Sequence, residues 1–427
     1  MSAAIIFGIL LALMLTGMPI SISLGLTVLT FLFTMTQVPL EAVALKLFTG
    51  IEKFEIMAIP FFILAGNFLT HGGVARRMID FATSLVGHWY GGLALSGVVA
   101  CALFAAVSGS SPATVVAIGS ILLPGMIKAG FPKQFGAGVI TTSGALGILI
   151  PPSIVMVMYS VATNTSVGSL FMAGVVPGVV LASMLGGMTW YRAWKNNYPR
   201  QEKASWGKRL RTFRESAWGL MLILVIMGGI YTGIFTPTEA AAMSAVYACF
   251  VAVFIYKDMS LKDVPKVLLN SANMSAMLLY IITNAVMFSF ILANENIPQE
   301  LASWLLDKGL GQVAFLFAVN ILLLMAGNFM EPSSIVLIFA PILFPVAMKL
   351  GIDPVHFGIM MVVNMEVGMC HPPVGLNLYV ASGITKMGIT ELTVAVWPWL
   401  LTMIVFLVMV TYWPPLSTWL PKMLGMM

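Results

Sequence analysis

Forty residues pass before the first charged side chain, Glu41, and most of them are apolar. Apolar runs of similar length recur along the 427-residue chain: hydrophobic residues make up 59% and charged residues 9%, against about 25% charged in soluble proteins. At ~20 residues per crossing the length accommodates about nine to twelve passages through a bilayer. In lipid only helices or closed barrels satisfy every backbone group, and these runs are too long for barrel strands. The expectation is an all-α polytopic membrane protein. The same composition excludes a soluble enzyme, a nucleic-acid binder, a disulfide scaffold and a disordered chain. Cys101, Cys249 and Cys370 are scattered without metal-ligand spacing. No basic stretch precedes the first apolar run, so the first span is expected to stay uncleaved.

Eight of the 21 Lys and Arg lie between Arg192 and Arg214. That bias marks one cytoplasmic loop, so the net charge of +5 is no nucleic-acid footprint. Topology propagates from this loop in both directions. Backward, the connector Lys128–Lys133 is also cytoplasmic, so 91–127 has both flanks inside. It is expected to enter, turn at Ser108-Gly-Ser-Ser-Pro-Ala-Thr114 and return as a re-entrant hairpin. Each arm of about 18 residues measures ~27 Å, so two ordinary spans are the alternative. Forward, a second interrupted stretch, 311–349, turns near Gly327-Asn-Phe-Met-Glu-Pro-Ser-Ser334. Residues 3–35 read as one long or kinked span, weakest at Gly17-Met-Pro19. The N-terminus is expected inside and the C-terminus outside.

The interrupted segments belong to a duplication. Pro124-x-x-x-Lys128-x-Gly130 recurs as Pro345-x-x-x-Lys349-x-Gly351, Pro132-x-x-Phe135-Gly136 as Pro354-x-x-Phe357-Gly358, and Gly147 with Pro151-Pro152 as Gly368 with Pro372-Pro373. Five crossings separate matching points, so the copies are inverted. The expected division is a scaffold span (1–53), a first repeat (54–194), a basic loop with connecting spans (195–266) and a second repeat (267–427). The first repeat holds an arm helix at 74–89, a hairpin at 91–127 and a broken span at 135–163. The second holds an arm at 294–307, a hairpin at 311–349 and a broken span at 357–385. Inverted repeats with matched Gly/Pro interruptions are the pattern of a secondary transporter with its site near the midplane.

Each copy puts a hairpin tip beside an unwound point. Pro152 and Pro373 cannot donate an N–H and leave upstream carbonyls unpaired, which a small hard cation could fill. Helices beginning near Pro112 and Pro332 aim positive ends at the same region, suiting a carboxylate. The bland reading is that these breaks are packing kinks. Glu331 and Glu366 are costly inside a span: either could touch a cation or carry a proton, and either could cap a helix or pair with a neighbouring cation. His371 reads as capping or packing ahead of proton transfer. Gly174-Val-Val-Pro-Gly178 reads as close helix packing. Trp194, Trp206, Trp397, Trp399, Trp413 and Trp419 read as interface anchors, and Arg76 and Arg77 as solvated or lipid-facing. No Walker-type loop and no His-Glu-x-x-His occurs, so no enzyme activity is expected.

Five segments carry a resemblance: Gly17-Met-Pro-Ile20, Ile59-Pro-Phe-Phe-Ile-Leu-Ala-Gly66, Ser108-Gly-Ser-Ser-Pro-Ala-Thr114, Gly147-Ile-Leu-Ile-Pro-Pro-Ser153 and Pro372-Pro373. Through them the chain resembles the large (M) membrane subunit of tripartite ATP-independent periplasmic (TRAP) transporters, most of all the sialic-acid branch. The resemblance implies a multi-pass inner-membrane subunit of an elevator-type ion-transporter fold, with scaffold and transport domains. It implies two partners, a small four-helix membrane subunit (Q type) and a periplasmic substrate-binding protein (P type). The cargo would be an organic acid, N-acetylneuraminate first and a C4-dicarboxylate as the alternative, driven by two or more sodium ions. One sodium would use Ser108 and Ser110 with backbone at Gly144, Gly147, Ile150 and Pro151. A second would use Gly327 and Asn328 with Gly368, Cys370 and His371. Substrate would meet Ser111, Ser153, Glu331, Ser333 and Asn377. Sodium-symporter relatives carry Ser-Asn-Thr at both tips, where this chain has Ser-Gly-Ser-Ser-Pro and Asn-Phe-Met-Glu-Pro-Ser. Rival functions are a stand-alone carboxylate symporter, a membrane enzyme acting on lipid precursors, and a channel.

Overall fold

The structure, a computed structural model, describes residues 2–427 apart from Gln37, Val38, Leu310, Phe329, Pro373 and Val374. Pro373 of the second proline pair and Phe329 of the second tip therefore lie outside the described residues. Two helices, α1 (Ser2–Leu15) and α2 (Ile20–Met35), replace the single span expected over 3–35. Gly17 takes a left-handed φ of +83°, and Pro19, which heads α2, has no N–H to continue a helix. Then come α3 (Leu40–Thr49), a 3-10 turn at Phe54–Met57 and α4 (Ala58–His71).

The first repeat continues with the arm α5 (Val74–Val86), the hairpin α6 (Gly92–Ser108) and α7 (Ser111–Lys128), and the broken span. That span is α8 (Lys133–Ser143), a 3-10 turn at Gly144–Ile148, and α9 (Ile154–Thr163), followed by α10 (Val167–Lys195). Beyond the basic loop, α11 (Trp206–Tyr231), α12 (Pro237–Phe250) and α13 (Val264–Asn294) lead to the second set. It comprises the arm α14 (Ile297–Asp307), the hairpin α15 (Gln312–Gly327) and α16 (Pro332–Lys349), the broken span α17 (Pro354–Cys370) and α18 (Leu376–Thr385), then α19 (Ile389–Tyr412) and α20 (Pro415–Met423).

Helices α7, α8, α9 and α10 start 221, 221, 222 and 222 residues before α16, α17, α18 and α19, so the duplication read from scattered prolines extends to whole elements. The copies interlock: α7 packs on α18 while α16 packs on α9, and α8 packs on α19 while α17 packs on α10. Such reciprocal exchange is what an inverted-repeat, two-hairpin transporter fold requires. Among the described residues, eight helices are long and apolar enough to cross a membrane.

Two assignments change. Arg76 is exposed as expected, but Arg77 pins the arm, pairing with Asp258 and lying 3.8 Å over the Tyr256 ring. Trp399 is no interface anchor. It is fully buried, and its indole N–H donates to Thr189 Oγ1 at 2.9 Å, tying α19 to α10.

At the opposite end from the basic loop, Lys53 Nζ donates to the Val161 carbonyl at 2.6 Å and to Asn164 Oδ1 at 2.7 Å. Burial lowers this ammonium's pKa, and Glu55 partly offsets that. The contact ties the segment before α4 to the end of α9. Lys53→Met keeps the aliphatic stem and deletes both donors, so it should cost about 1–2 kcal/mol. The expected result is a lower melting temperature of the purified protein; an unchanged one would show that the two bonds contribute nothing.

Candidate functional site

A cavity of about 630 Å³ lies between both hairpin tips and helices α2, α4 and α13. The first tip contributes 108–113 and the second 331–334. The opposite wall includes Asn67 and Met274. Asn67 Nδ2 donates to Ser271 Oγ at 2.8 Å and fastens α4 to α13.

The first tip is built by its own hydroxyls. Gly109 turns the chain with φ +60°, and a Cβ there would lie 2.9 Å from the Pro152 carbonyl oxygen. Thr114 Oγ1 donates to the Ser110 carbonyl at 2.9 Å, which leaves the Ser108 hydroxyl to donate to Thr114 Oγ1 at 2.9 Å. The oxygen of Ser108 keeps acceptor capacity. Ser110 heads α7 without a side-chain cap, so the first N–H groups of that helix have no side-chain acceptor.

The break in the first copy presses on this tip. A Cβ on Gly147 would sit 2.5 Å from the Ser110 carbonyl oxygen and 2.7 Å from Ser111 Cα. Only glycine admits that approach. Gly144 stands against Val115 of α7. Pro151 and Pro152 carry the chain from the 3-10 turn to α9, and the Ile150 side chain points into a separate groove beside α10. At Ile150, then, only the backbone is turned toward the break.

The second tip meets its own break in a matching way. A Cβ on Gly327 would lie 3.0 Å from Gly368 Cα, and the His371 Nδ1 and Asn328 Oδ1 atoms are 3.2 Å apart. Gly327, Asn328, Gly368 and His371 are thus brought together. Cys370 faces the first copy, with Sγ 3.5 Å from the Thr141 carbonyl.

Of the residues read as meeting substrate, Ser111, Glu331 and Ser333 line the cavity. Ser153 and Asn377 do not belong to its wall: Ser153 Oγ caps α9 by accepting from Met156 N–H at 3.4 Å, and Asn377 Nδ2 donates to Ser111 Oγ at 2.7 Å. Asn377 therefore braces the first tip from the second copy. Glu331 is the N-cap of α16, its carboxylate accepting from the Ser334 N–H at 3.1 Å and the Ser334 hydroxyl at 3.0 Å. It occupies the positive end of that helix itself. Glu331→Ala should lose about 1 kcal/mol of cap energy and melt earlier, whereas Glu331→Gln keeps an accepting oxygen and most of the stability. Equal melting of the two variants would remove the cap from consideration.

Sequence reasoning did not single out Thr114 as the brace of Ser108, nor the wall residues Gly66, Asn67 and Thr70 of α4. Asn67 carried a signal, as a lone amide inside an apolar helix. Ser143, with a buried hydroxyl lacking a partner directly before the first break, carried none.

The family model described as the tripartite ATP-independent periplasmic transporter, DctM component, matches residues 7–416. The C4-dicarboxylate TRAP transporter large permease protein DctM of Rhodobacter capsulatus is 77% identical, covering 100% of both chains. The sialic acid TRAP transporter large permease protein SiaM of Vibrio cholerae is 35% identical, covering 97% of each. The likeness to the sialic-acid branch is therefore the weaker of the two. Among solved structures, the Alcanivorax borkumensis YdaH transporter, whose crystal structure is described as having an unusual topology, aligns over 90% of this chain and 91% of its own. Its TM-score is 0.65 at 15% identity, a likeness of fold.

Proposed function

This chain belongs to the TRAP transporter family as a DctM-type large permease of the bacterial inner membrane, and from that premise we propose that it imports a C4-dicarboxylate on a sodium gradient. The carrying observation is full-length identity of 77% to a C4-dicarboxylate permease, against 35% to a sialic-acid one. The C4-dicarboxylate alternative thereby takes precedence over the N-acetylneuraminate reading. A periplasmic binding protein delivers the cargo, and a small membrane subunit completes the assembly.

The cavity chemistry supports an anion. One substrate carboxylate is received by the uncapped N-terminus of α7 at Ser110 and Ser111, because the corresponding end of α16 is already filled by Glu331. Ser333 offers a hydroxyl from the other tip. The cations are cargo that travels with the acid. Hard oxygens suit an alkali ion, and support comes from the free acceptor capacity of Ser108, the cavity-lining Ser110 and the partnerless Ser143 oxygen. Ser108 and Ser110, with backbone at 144–151, hold the first sodium; Gly327 and Asn328, with backbone at 368–371, hold the second. A bound cation lowers the cost of placing the substrate's charge at this depth. In the elevator motion, hairpins and broken spans move together past α2, α4 and α13, sliding over the contacts that α6 makes with α4 and α16 makes with α13.

The test is uptake into proteoliposomes holding the permease and its small subunit. Labelled succinate and labelled sialic acid are each offered with and without sodium and with and without a matching binding protein. Succinate should enter only when sodium and binding protein are both present. Entry of sialic acid alone would reverse the substrate assignment, and entry without binding protein would favour the stand-alone symporter.

A further inference from the structure

Eight buried side-chain nitrogen or oxygen atoms among the described residues have no hydrogen-bond partner, and five of them lie on the two broken spans. They are Ser143 Oγ, Asn364 Oδ1, both carboxylate oxygens of Glu366, and Asn377 Oδ1. All five are oxygens. Ser143 and Asn364 occupy equivalent positions in the two copies, 221 residues apart. Asn364 spends its N–H groups on Asn320 at 2.8 Å and Asn377 donates to Ser111, so what each leaves over is an acceptor.

Glu366 is the sharpest case. It is fully buried, and it stands twelve residues into α17, ~18 Å along the axis and so about halfway through a ~30 Å hydrocarbon layer. The two ion pairs among the described residues, Arg77–Asp258 and Arg211–Glu215, do not involve it. Neither α15 nor the 144–148 turn, both packed on α17, carries an ionisable side chain. On α16, α10, α19 and α20, which also pack on α17, the charged residues Lys349, Arg192, Lys195, Glu391 and Lys422 sit in terminal turns, and Glu331 is the N-cap of α16. The titratable neighbour one helical turn on is Cys370.

An unpaired carboxylate at this depth is too costly to persist alone. One proton would satisfy one oxygen and leave the surrounding acceptors unmet, whereas an alkali ion draws on several oxygens at once. We propose that Glu366 is the anionic ligand of a sodium ion at the second broken span, with the partnerless amide oxygen of Asn377, whose Nδ2 lies 3.7 Å from Cys370 Sγ one turn on from Glu366, as a neighbouring acceptor. Asn364, two residues before Glu366, is turned to Asn320 on another face of the helix. This rests on the sodium-coupled reading above, and it adds a charge-bearing ligand beside the backbone at 368–371, since the tip carboxylate, Glu331, is engaged in capping α16.

The experiment uses the purified permease with its small subunit, sodium chloride as the probe and choline chloride to hold ionic strength. Sodium should raise the melting temperature of the wild type. In Glu366→Gln the sodium concentration for half the effect should rise about tenfold, with Glu366→Asp closer to wild type. The second measurement needs no variant: dicyclohexylcarbodiimide modification of Glu366 in the wild type, read by mass spectrometry. Sodium should protect the residue and potassium should not. An identical sodium response in Glu366→Gln, or modification indifferent to sodium, overturns the assignment. Loss of sodium dependence from wild-type succinate uptake sinks the transport reading as well. Sodium-dependent uptake with unprotected Glu366 sinks the ligand alone.

Discussion

Gly147→Ala is expected to abolish sodium-driven uptake, by about a hundredfold or more, while the protein still reaches the membrane. The added methyl would lie 2.5 Å from the Ser110 carbonyl oxygen, 2.6 Å from its carbon and 2.7 Å from Ser111 Cα. All three are backbone atoms of the first tip, so no flexible side-chain end can yield. Overpacking of this kind costs about 1–3 kcal/mol and is relieved only by moving the tip away from the break. That movement separates the hydroxyls of Ser108 and Ser110 from the 144–151 backbone. Gly125→Ala supplies the control, because nothing lies within 4 Å of a Cβ there and transport should be unchanged. Uptake by Gly147→Ala at the wild-type rate, with equal amounts in the membrane, would mean that this approach does not matter to transport.

The double substitution Ser108→Ala with Ser110→Ala should raise the sodium concentration for half-maximal uptake about tenfold, equivalent to ~1.4 kcal/mol. Ser108 gives its proton within the tip, to Thr114 Oγ1, accepts only a long bond from the Ser110 N–H at 3.5 Å and keeps a lone pair for a cation, while Ser110 faces the cavity. Removing both hydroxyls takes away two hard ligands and leaves the helix N-terminus intact. The maximal rate and the succinate KM at saturating sodium should therefore change little. Unaltered sodium dependence would move the first cation away from this tip.

Much of the architecture was legible because it is encoded locally. Glycine and proline interrupt helices wherever they stand, so the hairpins and broken spans could be located from Ser108–Thr114, Gly147–Ser153 and their counterparts. The repeat then carried over to helix starts. The N-terminal break at Gly17 and Pro19 was visible as a weak point but not as two separate helices. Side-chain commitments were less accessible. Asn377 meets Ser111 across 266 residues, and Trp399 meets Thr189 across 210; no spacing rule reaches so far. Glu331 is the opposite case, since its partner Ser334 is three residues away. Capping was one of several readings open for it, and the geometry shows that contact. The branch was not legible, because the motifs that identify the large permease are shared by relatives named for a C4-dicarboxylate and for sialic acid.

The exchange of partners between the two halves bears on how the polypeptide is made. Helix α7 finds its neighbour α18 only when the last quarter of the chain has left the ribosome. Until then the first hairpin waits in the bilayer with its tip unbraced by Asn377 and its polar turn exposed to lipid or to the insertion machinery. Long-range closure of this sort slows folding and makes the early half dependent on the late one. A premature stop anywhere before α18 thus leaves an incomplete first half as well as a truncated second.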